Sequence, residues 1–225
     1  LLLFIKKISG KERKMDLNKI AEAVLKGDAK KTKELVEEAL KSGISPQEII
    51  NKGLISGMNV VGIKFKNNEY YIPEVLISAR AMQQGMDIIK SKILEEEIPT
   101  IGCMVLGTVK GDLHDIGKNL VKMMFEGAGF KVIDLGIDVP VEKFIEGVKN
   151  HQPQLLGMSA LLTTTMVGMK DVINALKKEN LRDKVKIMVG GAPLTESYAK
   201  EIEADGYAPD AASAVDKAKE LLGII

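Results

Sequence analysis

The chain has 225 residues, 45% hydrophobic and 28% charged, and its 32 Lys and Arg nearly cancel 31 Asp and Glu to leave a formal net charge of +1. That balance gives no basic surface of the kind a nucleic acid needs, and the length allows one large domain or two small ones, each with its own core. A single cysteine, Cys103, excludes a disulfide framework within the chain and any metal cluster built on several thiolates, which fits a reducing cytoplasm.

The opening stretch LLLFIKKISGKERK is apolar for five residues and then basic. It falls short of the ~20 residues of a membrane span and lacks a signal-peptide cleavage pattern. Residues 1–14 are therefore expected to be a disordered extension outside the fold. From Met15 the apolar residues take helical spacing. DLNKIAEAVLKG runs from a capping Asp16 to Gly27, and DAKKTKELVEEALKSG repeats the scheme from Asp28 to Gly43. SPQEIINKGLISGMNVVGIKF offers Ser45 as N-cap and Pro46 at the first helical position, where its missing N–H is not needed. A fourth segment runs from Pro73 through EVLISARAMQQGMDIIKSKILEEE. Short connections make this an antiparallel four-helix bundle over residues 15–97. Gly53, Gly57 and Gly62 interrupt the third helix at ~1 kcal/mol each relative to alanine, which implies close approach of another helix or a ligand. Phe65, Ile72 and Met82 read on their own as bundle core, and the paired charges of KKTKELVEEALK as a solvated face.

From Thr100 the pattern changes. IGCMVLGTV, KVIDLGI, QLLGMSAL and VKIMVGG are short apolar runs, followed by helical patterns over Ile116–Gly129, Val141–Asn150, Thr165–Glu179 and Thr195–Ala204. A weak fifth strand at GYAPD and a last helix in AASAVDKAKELLG complete the alternation. Such alternation predicts βαβ units and a flavodoxin-like, Rossmann-type doubly wound sheet of five parallel strands, order 2-1-3-4-5, over residues 98–225. EEEIPT is the linker. Cys103, within an apolar run, reads as a buried small hydrophobe.

In such a sheet ligands sit beyond the carboxyl ends of the strands. GTVKGDLHDIGKNL leaves the first strand there, SALLTTT the third, and Gly190-Gly191 the fourth. The first of these holds His114, one of only two histidines, between Asp112 and Gly117. An imidazole can coordinate a metal through one nitrogen while the other donates to a carboxylate that fixes the ring, and Asp112 is the nearest acceptor. No second His or Cys stands at zinc-site spacing, so a protein-only cage is not expected. One ligand suffices if the metal arrives inside a macrocycle. The other histidine, His151 in KNHQPQ, stands at a predicted helix end, where the helix dipole accounts for it.

Asp112, His114 and Gly117 form D-x-H-x-x-G; S-x-L at Ser159 and Leu161 follows about 40 residues on, and Gly190-Gly191 about 30 beyond. This series resembles the cobalamin-binding fold shared by methionine synthase, methylmalonyl-CoA mutase and corrinoid methyl carriers. GMNVVGIKFKNNEYYIPEVLISARAM is similar to the helical cap that precedes that fold in methionine synthase and in the corrinoid proteins of methyltransferase systems, which the mutase lacks. The resemblance covers residues 16–223. It implies a corrinoid whose lower nucleotide leaves cobalt and inserts beside the sheet while His114 takes its place, base-off and His-on. Small residues at Ser159, Gly190 and Gly191 would let the tail pass. The same resemblance puts Gly117 and Leu161 in the cofactor site, Phe65 and Ile72 over the upper face of the corrin, Thr163 against the corrin, and Ala211 at the nucleotide edge. Thr165 would bond Asp112 and complete a proton relay with His114; methionine synthase has serine there, so the hydroxyl survives. Asn51 replaces a glutamate near the upper face, a departure that weakens that one contact.

The function implied is that of a methyl carrier, in which reduced cobalt takes a methyl group from a donor and surrenders it to a thiol or folate. Methanol, methylamines and methoxylated aromatics all serve such carriers. Both predicted domains are accounted for by the corrinoid, so the chain is expected to work as a subunit, not as a complete enzyme. Its partners would be a substrate-specific methyltransferase, a second methyltransferase to coenzyme M or tetrahydrofolate, and a reductive activase, with no nucleic acid and no membrane. A cobalamin-dependent sensor without methyl transfer would use the same two domains, although no helix-turn-helix is readable. A flavin or nucleotide binder is the third reading.

Overall fold

The computed structural model describes residues 15–92 and 98–224. Residues 1–14, and the start of EEEIPT with the expected domain boundary at 97/98, lie outside the described residues.

The helical half begins with α1 (Asn18–Leu25) and α2 (Ala29–Lys41). Asp28 caps α2, its Oδ1 accepting the Lys31 N–H at 2.8 Å, and Ser45 Oγ accepts the Glu48 N–H at 3.2 Å beside Pro46. The third helix departs from the expected single α-helix. It comprises α3 (Pro46–Ile49), a π-helical turn (Ile50–Ile55) and α4 (Ser56–Lys66). Apolar spacing does not reveal the wider turn, because Ile50, Leu54 and Met58 stay buried on one side. The glycines here serve close approach. A Cβ on Gly57 would lie 2.7 Å from the Ala21 carbonyl oxygen, and one on Gly53 3.0 Å from the Ile20 side chain, so α1 rests on backbone. The fourth helix, α5 (Ile72–Lys90), starts behind Tyr71, whose N–H donates to the Glu74 carboxylate at 2.9 Å.

The second half alternates as expected: β1 (Cys103–Thr108), α6 (Ile116–Gly127), β2 (Lys131–Asp134), α7 (Val141–His151), β3 (Leu155–Ser159), α8 (Gly168–Lys178), β4 (Lys186–Gly190), α9 (Glu196–Glu201), β5 (Gly206–Tyr207) and α10 (Ala211–Leu221). All neighbouring strands are parallel, in the order β2-β1-β3-β4-β5. Thr108 pairs with Ser159 and Ser159 with Gly190, so three central strands end level and release their loops at one edge.

Several boundaries differ for local reasons. Strand β2 stops at Asp134, not Ile137, because the Asp134 carboxylate accepts the Gly136 N–H at 2.9 Å and turns the chain. Helix α8 starts at Gly168, not Thr165, since Thr165 belongs to the preceding turn and donates its hydroxyl elsewhere. Helix α9 is shorter than Thr195–Ala204 and uses Thr195 as its cap. Cys103, expected to be buried, is only partly so, because it opens β1 at the amino edge of the sheet.

The two halves share one core. Ile20, Val36, Leu54 and Val61 of the bundle are continuous with Met104, Phe125 and Val215 on one face of the sheet; Val105, Phe144, Leu156 and Ile187 form a second core on the other. An ion pair, Lys66 Nζ to Asp216 Oδ2 at 2.8 Å, ties α4 to α10. Among the described residues no helix is long and apolar enough to cross a membrane.

Candidate cofactor site

After β1 the chain passes Val109, which bridges Val139, and turns at Gly111 with φ +81°. Thr108, fully buried, donates its hydroxyl to the His114 carbonyl at 3.0 Å and fastens the loop to the strand end. Asp112 then points inward and is also fully buried. Its Oδ1 accepts the His114 backbone N–H at 3.1 Å and the ring Nδ1–H at 2.7 Å. Its Oδ2 accepts the Leu161 N–H at 2.7 Å and the Thr165 hydroxyl at 2.6 Å. One carboxylate thus joins the loops that follow β1 and β3.

That network decides protonation. Burial pushes the Asp112 pKa up, but the Thr165 hydroxyl, the Leu161 amide and His114 together hold it well below the usual carboxylate range. An ionised carboxylate only accepts, so Nδ1 of His114 donates to it and Nε2 is the ring nitrogen not engaged by Asp112. Nε2 has no hydrogen-bond partner among the described residues, and the His114 side chain is 50% exposed.

The imidazole borders a cavity of about 610 Å³ at the carboxyl edge of the sheet. Its walls come from Phe65 of α4, Met104 and Leu106 of β1, Leu113 to Lys118 and Leu120 around the start of α6, Gly157 to Leu161, Met188 to Ala192, and Ala208 to Ala211. Small residues keep it open. Gly191, at φ +133°, admits no side chain, because a Cβ would overlap the Ala160 carbonyl. A Cβ on Gly117 would meet nothing within 4 Å and would take up open space beside the histidine.

His114, Gly117, Ser159, Leu161, Gly190, Gly191, Ala211 and Phe65 therefore line one cavity, while Asp112 and Thr165 stand behind the imidazole. Ile72 and Thr163 do not line it. Ile72 opens α5 with 41% of its surface exposed, and Thr163 is exposed on a turn whose inward hydroxyl is that of Thr165. Sequence reasoning passed over Lys118, which is 3% exposed on the cavity wall and donates to both Asp134 oxygens at 2.7 and 2.8 Å. It also passed over Gly157, where a Cβ would overlap Met104, and over Asp138, whose Oδ1 accepts the Gly111 N–H at 2.6 Å.

No group of three or more His, Cys, Asp or Glu able to hold a metal ion is found among the described residues. The donor set at the cavity is a single imidazole, its Nε2 without a hydrogen-bond partner among the described residues, in a mostly apolar space. That suits a metal bringing its other ligands in a macrocycle, such as the cobalt of a corrinoid, and does not suit a free divalent cation.

Comparison with known proteins agrees with this geometry. A B12 binding domain family matches residues 102–216, and a second B12 binding domain family matches residues 16–90. The chain is 47% identical to dimethylamine corrinoid protein 3 of Methanosarcina acetivorans over 211 residues, 92% of this chain and 96% of that one. It is similar in structure to a cobalamin-binding protein from Desulfitobacterium hafniense, with TM-score 0.77 and 35% identity over 92% of this chain and 98% of the other. It is also similar to a chain of the methanol:cobalamin methyltransferase complex from Methanosarcina barkeri, with TM-score 0.84 and 31% identity over 92% and 79% of the two chains. The chain belongs to the B12-binding family of corrinoid proteins.

Proposed function

We propose that this chain is a methyl-carrying corrinoid protein, shuttling a methyl group between a methylamine:corrinoid methyltransferase and a second methyltransferase that passes it to coenzyme M or tetrahydrofolate. The observation that carries this reading is the His114 ring, its Nδ1 held by buried Asp112 and its Nε2 free at the edge of an apolar 610 Å³ cavity. Likeness to a dimethylamine corrinoid protein along 92% of the chain supports the methylamine class of donor.

When bound, the corrinoid supplies a cobalt whose reduced form accepts a methyl group and gives it up again. The protein's part is placement and proton control. His114 would hold the cobalt through Nε2, as the base-off, His-on reading requires. Asp112 keeps the opposite ring nitrogen protonated, and Thr165 braces Asp112, so both hydrogen-bond partners stay in place whether or not the imidazole is engaged. Gly117, Ser159, Leu161, Gly190, Gly191 and Ala211 shape the channel for the lower nucleotide, and Phe65 closes the cavity from the helical side. The same reading assigns residues 15–97 to the cap, residues 98–225 to the cofactor domain, and the chain to the cytoplasm. The partner subunits dock over the upper face after the cap moves aside, and a reductive activase restores the reduced state.

The test is methyl uptake. Reduced, corrinoid-loaded protein given dimethylamine and a dimethylamine:corrinoid methyltransferase should become methylated in proportion to bound corrinoid, and the loaded chain without that enzyme should not. Uptake by the chain alone would contradict the subunit role. Corrinoid binding with no uptake from mono-, di- or trimethylamine systems would favour the sensor.

A further inference from the structure

The support behind His114 has one more member. Asp138 lies on the exposed loop between β2 and α7, with φ +52°, a conformation aspartate tolerates better than most residues. Its Oδ1 accepts the Gly111 N–H at 2.6 Å, and its own N–H donates to the Asp112 carbonyl at 3.0 Å. Donor and acceptor of one residue thus grip both ends of the Gly111-Asp112 unit. The loop that carries Asp138 is itself anchored: Thr108 N–H donates to the Gly136 carbonyl at 3.0 Å, and Val139 N–H to the Thr108 carbonyl at 2.9 Å.

The grip falls where the chain needs it. Gly111 has the widest conformational freedom of any residue in the loop, and it immediately precedes the carboxylate that holds the imidazole. The direction in which Asp112 leaves the backbone decides whether Oδ1 meets the His114 ring while Oδ2 meets Leu161 and Thr165. Asp138 does not line the cavity.

We infer that Asp138 is a positioning residue: by clamping Gly111-Asp112 it holds the Asp112 carboxylate, and through it the His114 ring, in the single orientation that presents Nε2 to the cavity. This rests on the reading of His114 as the axial ligand. A turn-closing aspartate without that role would stabilise its loop and leave the imidazole unaffected.

Two variants separate the cases. Asp138→Gly keeps the left-handed backbone and removes the acceptor; Asp138→Asn keeps both. In the full chain without corrinoid, amide hydrogen exchange reports on Asp112 directly, because the Leu161 and His114 N–H groups are bonded to its carboxylate. D138G should speed exchange at both amides about ten-fold while the amides of β1 and β3 stay within about two-fold, and D138N should match the wild type. After loading with cobalamin, the Co(II) EPR spectrum of D138G should show a mixture of nitrogen-ligated and unligated species where the wild type shows one. Leu161 and His114 amides as protected in D138G as in the wild type would overturn the inference. So would loss of protection across the whole sheet, or failure of D138G to fold, either of which marks a general structural role. Absence of histidine splitting in the wild-type spectrum would instead refute the ligand reading, while the exchange result would stand on its own.

Discussion

The helical bundle and the carboxyl edge of the sheet are held together by different physics. In the bundle, fully buried Ile20, Val36, Leu54 and Val61 form the core, glycines let α1 touch the backbone of its neighbour, and the capping bonds of Asp28 and Ser45 span three residues. At the edge, one buried carboxylate joins segments roughly fifty residues apart through hydrogen bonds from His114, Leu161 and Thr165. Burial of apolar area tolerates small errors, whereas a charged centre with several donors fails when one partner is lost. The site is therefore the more brittle region, and the cap the more adjustable one.

The sharpest break of that contrast is Asp112→Ala, which removes the buried acceptor of the Leu161 amide and leaves the Thr165 hydroxyl only the Leu162 carbonyl at 3.0 Å. It should cost about 3 kcal/mol in urea unfolding of the corrinoid-free chain. The folded pKa of Asp112 lies below its unfolded value, so its contribution is present above about pH 4 and disappears as pH falls toward the depressed folded value. The wild type should thus lose stability below about pH 4 more steeply than Asp112→Ala. Equal slopes would mean that the carboxylate is not held as an anion.

In the bundle, Gly57→Ala should cost about 1–3 kcal/mol, because the new Cβ would lie 2.7 Å from the Ala21 carbonyl oxygen and α1 must shift outward. The loss should appear in thermal unfolding while the exchange protection of Leu161 is unchanged. A coupled loss at Leu161 would show that bundle packing also sets the site. Smallest is Lys66→Met, which removes the ion pair to Asp216 between the halves. Both side chains are about half exposed, so the loss of stability should be small and vanish in high salt.

Much of this was readable from local signals. Apolar runs between helical patterns give the doubly wound sheet and its order, and the two-residue separation of Asp112 and His114 on a loop puts carboxylate and imidazole within reach. Phe65 and the glycine pair at 190–191 meet the same cavity through the resemblance, since nothing in their own surroundings names a ligand. The rest depends on contacts across the fold. Asp138 meets Gly111 across 27 positions, and Lys118 meets Asp134 across 16, without any sequence pattern linking them. Lys118 stands in a helical pattern with nothing in the sequence to mark it as a buried cation. The π-helical turn left no trace because its buried residues keep a spacing that an α-helix also permits.

The most direct test of the whole account is pulsed EPR of the Co(II) form of the corrinoid-loaded chain, wild type beside His114→Ala. The account predicts hyperfine coupling from an imidazole nitrogen in the wild type, changed on labelling histidine with ¹⁵N and gone in His114→Ala. Coupling from a benzimidazole nitrogen in the wild type, or no axial nitrogen at all, would contradict it.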